Sequence, residues 1–560
     1  MKIIMLLLMI LGVASPKSLT AASNNELKIG ITQEFENLNP IVAQMAASTY
    51  IRRAVGRNLV DMDENGKYYP ALIVKIPTLE NGLARLSGEG KNRKIVAEWQ
   101  IKDNAKWGDG KPVTGYDVEF TWTVALSKFV SVGERDTYHQ IEKFEIDKAN
   151  PKKFKTYYRE AHWDFNQLLT FPVVPKHLEE NIFKKFGNVN EGYAKNSLHV
   201  KDPTNPGLYN GPYKVTEVKL GSHVIIERNK YFYGEPAKIK KIIFKVIPNS
   251  GTLEANLRSG NIDMISTLGL PFDQALVFAK KVEKEKLPYK VKFKPGLLYE
   301  HIDLQLKNPI LQDLNVRKAL VYGLNRTELT KALFEGKQAP AIHNVAPMDV
   351  WYTDNPKDIT LYPHSRRQAK KLLDSSGWKM AKDGYRWKNG KKLSLQIMTT
   401  AGNKARELVE TYLQAEWKKI GVEILIKNEP GRVFFGETVR KGKYPALAMY
   451  AWISSPESTP RSTFHSKSIP TKENGYSGQN SMGWSNPKVD AAIDAIDVEF
   501  DAQKRIKLAH RILGYYTDEV PVIPLFYRSD VAVIPNKMSG HKMNGHQAPN
   551  TNHVEYWTFK

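Results

Sequence analysis

From residue 26 onward the chain switches repeatedly between the two hydrophobic periods of regular secondary structure. Leu27, Ile29 and Ile31 alternate with polar positions, as do Ile95, Ala97, Trp99 and Ile101, and both patterns predict half-buried strands. Behind the second strand, Thr114 followed by Asp117 has the form of a capping box, and Val118, Trp122 and Ala125 recur at helical spacing. Segments 224–227 and 239–247 read as strands, and 252–258 as a short helix that Gly260 ends in the left-handed conformation. Ser365 and Gln368 form a second capping box, opening a helix over Ala369, Leu372 and Leu373 that stops near Gly377. The clearest unit comes next. Leu393, Leu395 and Ile397 alternate, 403–420 is amphipathic at helical period, Gly421 ends it, and Val422, Ile424 and Ile426 alternate again. Strand, helix and strand in this order predict a right-handed βαβ crossover. Alternation of both periods along the chain predicts α/β lobes on mixed or parallel sheets.

The first 22 residues break the pattern. Lys2 precedes an apolar run from Ile3 to Ala14, and Thr20-Ala21-Ala22 supplies small residues, so 1–22 is expected to be a signal peptide cleaved before Ser23. The run is too short for an ordinary transmembrane helix, and no later window is long and apolar enough, so the mature chain is expected to be soluble without membrane insertion. A length of 560 residues exceeds what one core can serve, and two or three lobes are expected. Cysteine is absent. That excludes a disulfide framework, thiol catalysis, Cys-ligated zinc and a lipid anchor on an N-terminal Cys. The expected location is the periplasm. Net charge is +23, but the lysines are scattered without a long basic block, which reads as a solvated surface and not as a nucleic-acid interface.

Catalytic constellations are missing. The sequence has no phosphate-binding P-loop, no nucleophile elbow and no zinc-protease helix motif. Gly88-Glu89-Gly90 lacks the strand and helix that would let it cradle phosphate, so it reads as a loop. His541, His546 and His553 are irregularly spaced in an Asn- and Gly-rich segment, which favours solvated histidines over a metal site. No metal or cofactor is expected, and a secreted α/β hydrolase remains only a remote alternative.

Several segments, in order, resemble the oligopeptide/dipeptide-binding proteins of ABC importers, family 5 of the extracytoplasmic solute-binding proteins. The strongest is 103–118, with its Ala105-Lys106-Trp107 turn and Asp109-Gly110-Lys111-Pro112-Val113-Thr114 leading into the helix. Pro172–Lys176, Gly211-Pro212-Tyr213-Lys214, Arg228-Asn229 with Tyr231-Phe232, and Ser259–Asp263 follow. Asn315–Leu320, Leu324-Asn325-Arg326, Gly377-Trp378, 414–422 and Pro521–Leu525 complete the set, which spans nearly the whole mature chain. Most of these motifs are turn and cap chemistry, which fixes a fold and leaves the ligand open.

The resemblance implies a class II bilobal periplasmic-binding fold with an extra inserted domain. Residues 23–75, 206–303 and 519–560 would form the first lobe, 76–205 the inserted one and 304–518 the third, with the ligand cleft between the first and third. It implies a monomeric periplasmic receptor that captures oligopeptide-like solutes by hinge closure and delivers them to permease and ATPase subunits on separate chains. The same fold binding a wall-peptide fragment, a sugar or an opine is the alternative. Ligand contact is expected at Ala451, Trp452 and Ile453, along which a peptide would add as a strand. Ala46, Tyr299 and His301 are carried as cleft positions too, core packing being the other reading for Tyr299 and His301. Relatives that bind peptides carry an Asp three residues after the Trp, pairing with the ligand's α-amino group. Here that residue is Ser455. Glu457 is the expected substitute, unless the solute has no free amino terminus. Met449 stands where oligopeptide binders can carry an Arg, and Arg432 is either an anion-recognising fork or a surface residue.

Overall fold

The structure is a computed structural model that describes residues 25–560 apart from 44, 90, 91, 133, 134, 475 and 477, and the side chains of 136 and 432. The leader expected over 1–22, Gly90 of the Gly-rich turn and the Arg432 side chain lie outside the described residues.

One mixed sheet of eleven strands organises most of the chain. In sequence these are β1 (Glu26–Ile31), β2 (Tyr213–Lys219), β3 (His223–Arg228), β4 (Lys241–Val246), β5 (Met264–Ile265) and β6 (Tyr289–Leu304). Then come β7 (Ala339–Pro340), β8 (Ser394–Met398), β9 (Glu423–Ile426), β10 (Leu447–Ile453) and β11 (Val522–Pro535). Across the sheet they run β9-β8-β10-β6-β11-β5-β1-β4-β3-β2, with β7 added beside β11. Three large cores surround this frame. Leu27, Ile29, Ile242, Phe244 and Trp557 anchor the core over β1 and β4, and Ile302, Leu304, Trp417, Leu447 and Ile523 the one over β6, β10 and β11. The third belongs to a separate four-stranded antiparallel sheet within 84–158, where Trp99 stacks on Phe154.

Local chemistry accounts for the elements. α1 (Ala46–Val55) follows the first strand. α2 (Gly115–Leu126) opens on the expected capping box, the Thr114 amide donating to Asp117 Oδ2 at 2.8 Å. The helix Arg366–Ser375 is capped by Ser365 Oγ, which accepts from the Gln368 amide at 3.2 Å. The βαβ unit is present: β8 and β9 pair in parallel with Leu395 opposite Ile424, joined by α3 (Lys404–Lys418). Val409, Leu413, Trp417 and Ile420 form the buried stripe of that connection, and Trp417 Nε1 donates to the Leu320 carbonyl at 2.8 Å. Gly421 leaves the unit with φ +87°, a conformation that costs glycine little. The last long helix, α4 (Ala502–Glu519), is capped by Asp501.

β6 and β11 are the longest strands, 16 and 14 residues. They pair antiparallel from Tyr289 opposite Pro535 to Asp303 opposite Val522, with register shifts between Pro295 and Tyr299 and between Glu300 and His301. At the first shift the backbone of Gly296 packs against that of Gly545, and Leu297 donates its amide to the Gly545 carbonyl at 2.9 Å. A Cβ on Gly296 would stand 2.4 Å from that oxygen. Gly296→Ala is therefore expected to destabilise the protein by about 1–3 kcal/mol through overpacking. Gly436→Ala, where a Cβ would meet nothing within 4 Å, is the control. Urea midpoints of the two variants check this; equal midpoints would remove the close backbone approach as a constraint.

Candidate functional site

β10 is covered on one side only. It pairs with β6 along its whole length, Leu298 opposite Ile453 to Leu304 opposite Leu447. On its other side β8 reaches only Leu447 and Ala448, after which Thr399 Oγ1 donates to the Met449 carbonyl at 2.7 Å. The next residue, Thr400, instead bridges to Glu429. The Ala446 carbonyl accepts from Gln305 and the Ser454 amide donates to Leu297, so even-numbered residues of this strand face β6. Ala451 and Ile453 therefore turn their N–H and C=O groups to the uncovered side. An unpaired edge of this kind is a template for another extended backbone.

The side chains around the edge are aromatic and apolar. Ile453 is 55% exposed and Phe435 45%. The Trp452 ring lies edge-on to Tyr450 at 5.5 Å, and Phe435 lies edge-on to the same tyrosine at 5.9 Å. Phe434 and Phe435 belong to a π-helical turn, 434–439, of the sort often found at functional sites. The Trp452 indole N–H is shut from solvent with no acceptor among the described residues.

Beneath the edge lies a buried polar cluster. Tyr450 Oη donates to Asp303 Oδ2 at 2.5 Å and Ser481 Oγ to the same oxygen at 2.9 Å, while His301 Nε2 stands 3.3 Å from Asp303 Oδ1. Tyr299 stacks on His301 with ring centres 4.6 Å apart. Burial, followed by the Asp303 charge, pushes the Tyr450 phenol well above its usual range, so it stays a donor. His301 and Tyr299 are buried, so the cleft-facing expectation for both gives way to core packing. On the opposite face of β6, Glu300 is held by Arg406 at 3.2 Å and Arg528 at 3.5 Å.

The loop after β10 is tied to three other parts of the chain. Gln547 Nε2 donates to Ser455 Oγ at 2.8 Å. The Glu457 amide donates to Asp349 Oδ2 at 3.0 Å, and burial raises that Asp349 carboxyl to about 6. The Glu457 carboxylate lies 3.4 Å from Arg505 Nη2, whose guanidinium sits 4.0 Å over the Trp163 ring. Glu457 is thus already paired within the protein, at a left-handed φ of +55°. A cavity of about 440 Å³ opens beside the loop, lined by Tyr68, Asp164, Ser455, Glu457, Arg461 and Asp497 among others.

Five of the expected positions, Ala451, Trp452, Ile453, Ser455 and Glu457, sit together on this strand and loop. Ala46 is the exposed first residue of α1 and lines neither this cavity nor the one beside α1. Sequence reasoning missed Gln547 and Arg505, which nothing local distinguishes from solvated residues; the Phe434-Phe435 pair was a visible signal. The C-terminal histidines are packed, not solvated. Burial lowers His541 to about 3 beside Trp557, His546 Nε2 meets the Asp63 carbonyl at 2.6 Å, and His553 stacks on Tyr69. No metal-ligating cluster occurs among the described residues.

Residues 86–470 match the family model described as "Bacterial extracellular solute-binding proteins, family 5 Middle". The oligopeptide-binding protein AppA of Bacillus subtilis is 26% identical over 535 residues, 95% of this chain and 91% of its own. The oligopeptide-binding protein of Thermus thermophilus, solved with a pentapeptide, superposes with TM-score 0.66 at 26% identity, covering 96% of both chains. NikZ of Campylobacter jejuni, solved with Ni(L-His), shares the fold at TM-score 0.68 and 24% identity, over 96% of this chain and 99% of its own. The chain belongs to family 5 of the bacterial extracellular solute-binding proteins, and it is a solute-binding receptor, not an enzyme.

Proposed function

We propose that the protein captures oligopeptide-like solutes by adding their backbone to the open edge of β10, and delivers them to an ABC permease and ATPase on separate chains. The observation that carries this reading is the pair of outward N–H and C=O groups at Ala451 and Ile453, with Trp452 and Phe435 beside them. The oligopeptide-binding names of its relatives point the same way. In this reading 23–75, 206–303 and 519–560 form one lobe, 76–205 an inserted lobe and 304–518 a third, with the cleft between the first and third. β6 and β11 are the two crossings about which the lobes close. The receptor works in the periplasm as a monomer after removal of 1–22. A non-peptide solute is the second reading, favoured by Ser455 and by the relative solved with Ni(L-His).

Ala451→Pro removes one outward amide while leaving the β6 ladder bonds of Tyr450 and Trp452 in place. Proline is tolerated on an edge strand where its nitrogen faces solvent. Peptide affinity by calorimetry is expected to fall about tenfold, the weight of one buried hydrogen bond at the upper end of its range. Unchanged affinity for a peptide that binds the parent would exclude strand addition at β10. Because Arg505 already neutralises Glu457, a free peptide and its N-acetylated form are expected to bind within about threefold of each other. That is well short of the roughly 2–5 kcal/mol seen when one member of a buried ion pair is removed. A large preference for the free peptide that disappears in Glu457→Gln would restore Glu457 as an amine anchor.

A further inference from the structure

A second cavity, of about 420 Å³, lies between the segment 38–43, α1, the stretch 169–173 and the turn Gln547–Pro549. Its wall is largely apolar, with Leu38, Ile41, Val132, Leu169, Pro172 and Val173 among the lining residues. Three arginines of α1 and its C-terminal end reach it. Arg53 is bound to Asp61, and Arg57 Nη2 lies 2.7 Å from Glu555 Oε2, so both charges are spent. Arg52 differs. It donates to the Asn39 carbonyl at 3.2 Å and to Thr49 Oγ1 at 2.8 Å, and no carboxylate pairs with it among the described residues. Burial and the neighbouring Arg53 charge lower its pKa to about 10, against a weaker opposing pull from Glu36. The guanidinium remains charged at neutral pH, and among the described residues no carboxylate lies within ion-pair distance of it. Gln547 forms part of this wall and also holds Ser455, so the cavity adjoins the end of the open β10 edge.

A guanidinium at the wall of a largely apolar cavity, with no carboxylate partner among the described residues, favours an anion with an apolar body. We propose that this cavity is a subsite for a carboxylate-bearing apolar group of the captured solute, the carboxylate pairing with Arg52 and the body lying against Leu169, Pro172 and Val173. The assignment rests on the receptor reading above, since it gives the solute its chemical class. A volume of 420 Å³ accommodates a group the size of an arylalkyl chain.

The test uses the full chain and three probes of one shape: 4-phenylbutyrate, 4-phenylbutanol and 4-phenylbutylamine, titrated calorimetrically at pH 7 and low salt. The carboxylate is expected to bind at least about tenfold more tightly than the alcohol or the amine, the usual scale of one charge-assisted contact. Arg52→Gln should erase that preference. Leu169→Trp, which adds bulk to the apolar wall, should abolish binding of all three probes. Equal binding of the three by the parent protein overturns the proposal. So does a carboxylate preference that survives in folded Arg52→Gln, or 4-phenylbutyrate binding untouched by Leu169→Trp. An N-acetylated peptide without acidic groups is titrated alongside. If it binds while the probes fail, the subsite is wrong and the receptor reading stands; if no peptide binds the parent, the receptor reading fails on its own.

Discussion

The pairing of β6 with β11 is the constraint on which the rest depends. These strands run from the neighbourhood of β5 and β1 at one end to that of β10 at the other, so every other strand of the main sheet is placed relative to them. Two register shifts interrupt the ladder, and the first is where Gly296 and Gly545 bring two backbones closer than any side chain would allow. Backbone hydrogen bonds through the crossing stay paired, while the shifts loosen the sheet locally. The hinge proposed here would use both properties: stiffness without the shifts would lock the halves together, and shifts without the ladder would let them drift.

The open edge of β10 follows from the same frame. β10 is held by β6 for seven residues but by β8 for two, because Thr399 and Thr400 turn the chain away toward α3. What keeps the uncovered half extended is the network below it. Asp303 accepts from Tyr450 and Ser481, and the His301 ring packs between Tyr299 and Tyr450. Both of these hydrogen bonds fall on Oδ2, so removing either donor would leave a buried carboxylate less satisfied beside the strand it supports. The residues that shape this edge therefore include several that a bound solute would never touch.

What the sequence revealed was local chemistry. The capping pairs Thr114–Asp117 and Ser365–Gln368, the N-cap Asn403 and the glycines at 260, 377 and 421 are decided within a few residues, and the alternating strands of the βαβ unit are equally self-contained. The family motifs are of this kind, which is why they carried the fold. The site was less legible for two reasons. A strand covered on both faces gives no sign of which parity points to the ligand, so His301 and Tyr299 could be read either way. Partners far apart in sequence are invisible to pattern: Arg505 lies 48 residues from the Glu457 it neutralises, and Gln547 lies 92 from Ser455. β6 runs on through Pro295-Gly296 because the sheet supplies the pairing on either side.

Electrostatics bear on which end group of a solute the site would accept. A buried ammonium needs a carboxylate whose charge is not already spent, and the desolvation cost without one is several kcal/mol. On the loop after β10, position 455 offers a hydroxyl that already accepts from Gln547, and the carboxylate at 457 is paired with Arg505. Across Gln547, Arg52 is a cation with no carboxylate of its own among the described residues. The two cavities thus differ in charge: Arg52 lines the one beside α1, while the one beside the loop holds Asp164 and Asp497 as well as Glu457. The backbone edge is indifferent to charge, since its hydrogen bonds serve any extended amide chain. In the proposed reading, affinity for the chain and selection of its end group would be set by different residues, β10 by geometry and the cavity beside α1 by charge, so that either could change in evolution without the other.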